Sequence, residues 1–196
     1  MLTNLPVFVT IIIYIAAAIL PALFLMRYIY RKDTVEKEPA GMLISLVFLG
    51  VAAALIAILL ESFGKGVLSA FLVEGTPAYT IVMAFLVVAV AEEGAKFFFL
   101  KRRTWKDPNY NYRFDGIVYS VFLSLGFAAF ENISYVMGYG LTTALLRAVL
   151  AIPGHMGFAV FMGLFYGRAK LCADQGDVRG RKRNLWAAYL SAVVLH

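Results

Sequence analysis

Glu92 and Glu93 lie side by side in AYTIVMAFLVVAVAEEGAKFFFL, residues 78–100, a run that otherwise reads as lipid-embedded helix. One charged side chain at the bilayer centre costs roughly 2.5–3.5 kcal/mol on insertion scales, so an adjacent pair marks a functional site. Other apolar runs carry further polar residues. Glu131 and Asn132 interrupt DGIVYSVFLSLGFAAFENISYV, His155 interrupts AIPGHMGFAVFMGLFYG, and His196 ends the chain. Two glutamates, two histidines and an amide around a polar cavity suit the activation of water. A glutamate takes a proton from water as general base, and an imidazole orients that water or protonates a leaving amine. His and Asn donors can stabilise an oxyanion. Glu and His are also zinc ligands, so a metal-bound water is the second mechanism, with ligands drawn from Glu92, Glu93, Glu131, His155 and His196. Spacing does not separate the two. No serine nucleophile motif, aspartate pair or HExxH is present.

On a helix Lys96 is i+4 from Glu92 and i+3 from Glu93, so it reaches either carboxylate. The two carboxylates point about 100° apart. One can face the site while the other is held by Lys96; the plainer reading is a Glu–Lys pair that neutralises itself. Pro153 and Gly154 precede His155 and predict a kink. Broken backbone at membrane depth is tolerated where it lines protein or a water-filled cavity. Ala159, Gly163 and Gly167 then repeat every four residues, a stripe for close helix contact. For Glu131 and Asn132, gripping a neighbouring helix by hydrogen bonds is an equal alternative to a site role.

Elements that position these residues follow from composition. The chain is 62% hydrophobic and 15% charged, with mean hydropathy +0.79. That predicts an all-α, polytopic transmembrane helical bundle, a single domain over residues 1–196. Six apolar segments are visible, at about 5–26, 41–61, 78–100, 117–137, 143–167 and 185–196. The first five are long enough to cross about 30 Å of hydrocarbon. The sixth is too short, so the chain ends within a helix. At a rise of about 1.5 Å per residue, Glu92 lies roughly 13 Å from the inner boundary, His155 roughly 20 Å, His196 roughly 17 Å and Glu131 roughly 24 Å or less. These depths overlap, and convergence on one site is the economical arrangement.

Fifteen of the 18 Lys and Arg residues fall in three alternate loops, 27–39, 101–115 and 168–184. The positive-inside rule places those loops in the cytoplasm and the amino terminus outside. The basic patches therefore orient the chain and meet anionic lipid rather than nucleic acid. The outer stretch 62–77 is expected to form a short interfacial helix, and 138–142 (GYGLT) a tight reversal. Trp105, Tyr110 and Tyr112 suit headgroup anchoring, and Asp115 suits a cap for the fourth helix. Cys172, the single cysteine, excludes a disulfide framework. The first segment lacks a basic region before it and reads as a retained span.

AEEGAK, FDGIVYSVFLSLGFAAFENISYV, RAVLAIPGHMGFAVFMGLFYGRAK and the terminal VVLH, with EKEP at 36–39, together resemble the PrsW family of bacterial intramembrane proteases. That family is related to the CAAX prenyl endopeptidases and to glutamic-type intramembrane proteases. The resemblance covers about residues 25–196. It implies an endopeptidase of the bacterial cell membrane that hydrolyses a peptide bond of a single-span membrane protein. The substrate class it implies is an anti-sigma factor, cut on its extracytoplasmic side to start a stress response. Glu92 and Glu93 match the paired glutamates, Lys96 the basic follower, Glu131 and Asn132 the EN of the second block, His155 the third block and His196 the last. The wider group has a histidine in the second block, where this chain offers Glu131 and Asn132.

The resulting expectation is a general base at Glu92 or Glu93, completed by His155 and His196. Lys96, Glu131 and Asn132 support the site. No cofactor is favoured, with zinc as the alternative. A different class of function would use the same Glu/His cluster as a proton relay in a transporter or channel; the short chain and the lack of an inverted repeat count against it. A non-catalytic membrane scaffold or immunity factor would require that the polar residues tolerate substitution.

Overall fold

The computed structural model describes residues 6–196. Residue 5, where the first predicted segment begins, lies outside the described residues. Six helical rods follow one another at the predicted places, and there is no strand among the described residues. Helix α1 is Val7–Lys32 and α2 is Ala40–Ser69. The third rod has three parts: α3 (Pro77–Val82), a π-helical stretch (Met83–Val88) and α4 (Ala89–Thr104). Helix α5 is Asp115–Tyr139. The fifth rod divides into α6 (Leu141–Val149) and α7 (Ala151–Asp174), and α8 is Val178–Leu195.

Four rods are long and apolar enough to span a membrane: α1, α2, α5 and the combined α6–α7. The other two carry charge that lowers their hydropathy. Helix α4 holds Glu92, Glu93, Lys96 and a basic last turn, and α8 opens on Arg179, Arg181, Lys182 and Arg183.

Several boundaries differ from the sequence expectation, each for a local reason. Helix α2 continues two turns past residue 61, so the first half of the stretch 62–77 is the end of α2 and not a separate interfacial helix. The loops between rods are short: α7 runs on to Asp174 and α8 begins at Val178, so most of the basic stretch 168–184 is helical. The same holds for residues 27–32 and 101–104. The fifth rod breaks at Leu150, three residues before Pro153. Pro153 falls in the first turn of α7, where its missing N–H has no helical partner to lose. Asp115 does not cap its own helix. Its Oδ2 accepts from the backbone N–H groups of Asn111 and Tyr112, closing the preceding turn. Tyr110 is no headgroup anchor: it is buried, and its ring stacks on Tyr166 at 5.3 Å. The reversal at 138–142 is as expected, made by Gly140 alone at φ +85°. Cys172 sits half-buried on α7 rather than in a loop.

Helix α5 is the centre of the bundle, packed against α1, α2, α4, α6 and α7. Its contact with α7 is made by the predicted small-residue stripe. A Cβ on Gly163 would lie 2.5 Å from the carbonyl oxygen of Gly116 and 2.5 Å from Cα of Ile117. At that separation two serine hydroxyls of α5 reach α7 backbone: Ser120 donates to Ala159 (2.8 Å) and Ser124 to His155 (3.1 Å). The α5–α7 pair thus holds the backbone at His155 in place.

Candidate active site

Glu92, Glu93 and Lys96 face inward from the first two turns of α4 and are buried. The Lys96 ammonium is the hub. It donates to Glu92 Oε2 (3.1 Å) and Glu93 Oε1 (2.7 Å) and meets Nδ1 of His155 at 3.2 Å. It also lies 3.9 Å from the centroid of the Phe127 ring, a cation–π contact from α5. A buried ammonium is tolerated only when paired and hydrogen-bonded, and here every side carries a partner.

The contact with Lys96 settles the His155 tautomer. An ammonium is a donor only, so Nδ1 must accept, and the ring proton resides on Nε2. Nε2 faces Glu131 Oε2 at 3.1 Å and donates to it. Both ring nitrogens of His155 are therefore engaged. Glu131 Oε2 also accepts from Nη2 of Arg147 at 2.7 Å.

His196 enters from the end of α8. Its ring stacks on Phe158 (centroids 5.1 Å) and meets His155 edge-on (5.7 Å). Nδ1 lies 3.3 Å from Glu93 Oε1 and Nε2 lies 4.0 Å from Glu92 Oε2. The first approach is short but off the hydrogen-bonding direction, so Nδ1 is buried without a partner, as is Glu93 Oε2.

The six residues Glu92, Glu93, Lys96, Glu131, His155 and His196 thus come together from α4, α5, α7 and α8. Asn132 does not join them. Its amide donates to the carbonyl of Ala18 on α1 (3.0 Å) and its oxygen accepts from Nε of Arg147 (2.9 Å). It grips α1 and holds Arg147, the alternative role open to it from the sequence.

Two residues escaped the sequence reading. Arg147 passes there for a charge near the end of a span, yet α6 carries it to Glu131 and Asn132. Glu61 is the last residue of the apolar segment 41–61. With Glu92, Glu131, Ser134 and Tyr135 it lines a cavity of about 230 Å³ between α2 and α5. Neither has a local sequence signal, because each acquires its neighbours from another helix. A second cavity, about 220 Å³, is lined by Glu131, Arg147, Gly154, His155, Phe158 and His196. At about 30 Å³ per water each has room for several waters, so the cluster has open space on two sides.

This is a helical membrane protein with a buried glutamate–histidine site at its core. Residues 38–196 match the family described as PrsW family intramembrane metalloprotease. Protease PrsW of Geobacillus kaustophilus is 36% identical over 182 residues, 93% of this chain and 76% of that protein. Protease PrsW of Clostridioides difficile is 36% identical over 183 residues, 91% and 74% of the two chains. Protease PrsW of Bacillus subtilis is 34% identical over 165 residues, 84% and 72%. No solved structure matches the chain. The chain belongs to the PrsW family of intramembrane proteases and is a membrane-embedded peptidase.

The family description names a metal. Glu92, Glu93 and His155 bring ligand atoms within 4.8 Å of one another, a donor set that suits zinc. Those same three residues surround the Lys96 ammonium. A divalent ion at their centre would meet a fixed positive charge in its own coordination space. The site as arranged does not fit a metal while Lys96 is seated.

Proposed function

We propose that the protein hydrolyses a peptide bond of a single-span membrane protein by glutamate-activated water, with Glu92 as general base. The observation that carries this reading is the asymmetry of the two carboxylates. Lys96 bonds to both, but Glu93 is the more tightly held (2.7 against 3.1 Å) and only 1% exposed, whereas Glu92 lines the cavity that it shares with Glu61 and Glu131. A base must reach water, and the cavity lined by Glu92 gives it room for one, which supports Glu92 over Glu93.

Glu92 takes one proton from water as the water oxygen bonds to the scissile carbonyl carbon. The carbonyl electron pair moves onto its oxygen. On collapse the C=O bond re-forms, the C–N bond breaks, and the proton passes to the amine nitrogen by way of Glu92 and His196. The products are a carboxylate and an amine, with the carboxyl proton released to water. His196 suits the shuttle because its ring nitrogens are not committed to other hydrogen bonds. His155, with both nitrogens engaged, is a positioning residue that links Lys96 to Glu131. Lys96 supplies a fixed positive charge beside both carboxylates.

The substrate class we infer is an anti-sigma factor with one span, cut on the extracytoplasmic side. The supports are the family resemblance and an orientation, drawn from the basic loops, that puts the amino terminus outside. The test is co-expression with a tagged single-span anti-sigma substrate. Wild-type protein should release the cut fragment, and Glu92→Gln, Glu93→Gln and His155→Ala should not, at matched expression. Full cleavage by all three variants would overturn the site.

A further inference from the structure

We propose that Arg147 is a catalytic residue, whose guanidinium donates to the scissile carbonyl oxygen as that oxygen becomes an oxyanion in the cavity between α5, α6, α7 and α8. The assignment rests on the protease reading above. Hydrolysis by activated water needs a donor for the developing negative charge. Of the donors that the sequence offers for this task, His155 and Asn132 are spent, and His196 carries the proton in the scheme above. His155 has Nδ1 on Lys96 and Nε2 on Glu131, and the Asn132 amide is given to Ala18.

Arg147 is differently placed. A guanidinium has five N–H donors and keeps its charge at any working pH. Nε goes to Asn132 and one Nη2 hydrogen to Glu131, while Nη1 makes no hydrogen bond among the described residues. Those two bonds, with the guanidinium carbon 4.0 Å from the centroid of the Tyr135 ring, fix the plane of the group. Preorganised donors of this kind do not reorganise when charge develops, which is the condition for transition-state stabilisation. Glu131 does not cancel the charge fully, because the same Oε2 also accepts from His155. Arg147 lines the 220 Å³ cavity with His155 and His196; Glu131 lines both this cavity and the one that Glu92 faces, and His196 Nε2 lies 4.0 Å from Glu92 Oε2. The break at Leu150 ends α6 just after Arg147, so the fold delivers the side chain at the end of a short helix instead of along an unbroken span.

The experiment uses the full chain in nanodiscs, a single-span peptide reporter, and the phosphonate analogue of that reporter as a tetrahedral anion. Arg147→Lys keeps a cation opposite Glu131 but loses the fork. It should lower kcat about 10²–10³-fold with little change in KM. Phosphonate affinity should fall by the same factor, since only the transition-state interaction is lost. Equal losses in KM and in phosphonate affinity, or an unchanged kcat, would overturn the assignment and leave Arg147 a structural clamp. Should the variant fail to fold, wild-type protein answers instead. Bound phosphonate should shield Arg147 from phenylglyoxal, read by peptide mass mapping, and unshielded modification counts against the assignment. Wild-type protein that neither cleaves the reporter nor binds the phosphonate overturns the protease reading itself, and this assignment with it.

Discussion

The Lys96 ammonium lies 3.2 Å from Nδ1 of His155, at the point where the candidate metal ligands Glu92, Glu93 and His155 converge. A side chain thus supplies the positive charge that a metal would bring. Lys96→Ala should abolish cleavage and leave three free ligand atoms around a small void. That variant is expected to take up zinc, while wild-type protein does not. Metal content of both proteins after dialysis against zinc checks this. Stoichiometric zinc in wild-type protein, required for activity, would contradict it.

Glu92 and Glu93 should separate when activity and stability are read together. Removing a general base costs about 10²–10⁴ in rate. Glu92→Gln should show that loss with a smaller fall in melting temperature than Glu93→Gln, since its bond to Lys96 is the longer one. Glu93→Gln should lose activity and also destabilise the fold by about 3 kcal/mol, because Glu93 makes the shorter bond to a buried ammonium. Thermal unfolding in detergent beside a cleavage assay provides both readings. Equal stability of the two variants would remove the distinction.

Packing of α5 on α7 predicts unequal effects at two glycines of one helix. Gly163→Ala forces a methyl group onto the backbone of Gly116 and Ile117, which cannot yield as a side chain would. A loss of about 1–3 kcal/mol is expected. Gly157→Ala meets nothing within 4 Å and should gain up to about 1 kcal/mol from helix propensity. Melting curves of the two variants suffice. A neutral Gly163→Ala would mean that the helices are farther apart.

At the end of the bundle that carries the basic loops, Glu38 gives a pH signature. Burial pushes its carboxyl up from an ordinary value of 4.5 to about 7, reinforced by the nearby Asp115 and Asp33 and opposed by the hydrogen bond from Tyr119 (2.5 Å). The folded chain holds this proton more tightly than the unfolded chain does. Stability from this group is complete below pH 4.5 and is lost as pH rises towards and through about 7. Melting temperature should fall over that window, and Glu38→Gln, which still accepts from Tyr119, should flatten the fall. A variant with the wild-type slope would assign the pH dependence elsewhere.

Much of this architecture is legible without coordinates because lipid imposes a simple rule on sequence. Apolar runs of span length mark the rods, and a carboxylate inside one has to find a partner. Depth counting therefore gives Glu92, Glu131, His155 and His196 overlapping depths, enough for one shared site. What it misses depends on rotation and on local breaks. The π-helical stretch at Met83–Val88 leaves no mark in VMAFLVVA, yet it widens the helix just before the glutamates. Pro153 draws attention to itself, but the break lies at Leu150, where only the fold of α6 decides it. Asn132 and Glu131 are adjacent in sequence and point to different helices, so one joins the cluster and the other grips α1. Arg147 and Glu61 gain meaning only from residues of other helices, Glu131 and Asn132 for the first and Glu92 and Glu131 for the second.

Cleavage of a single-span reporter in liposomes, by wild-type protein and Glu92→Gln in the presence of a strong chelator, tests the central claim most directly. Wild-type protein should cut the reporter at an undiminished rate, and Glu92→Gln should fall by about 10²-fold or more. Glu92→Gln cutting at the wild-type rate, or wild-type activity lost to the chelator and restored by zinc, would contradict hydrolysis by water activated at Glu92.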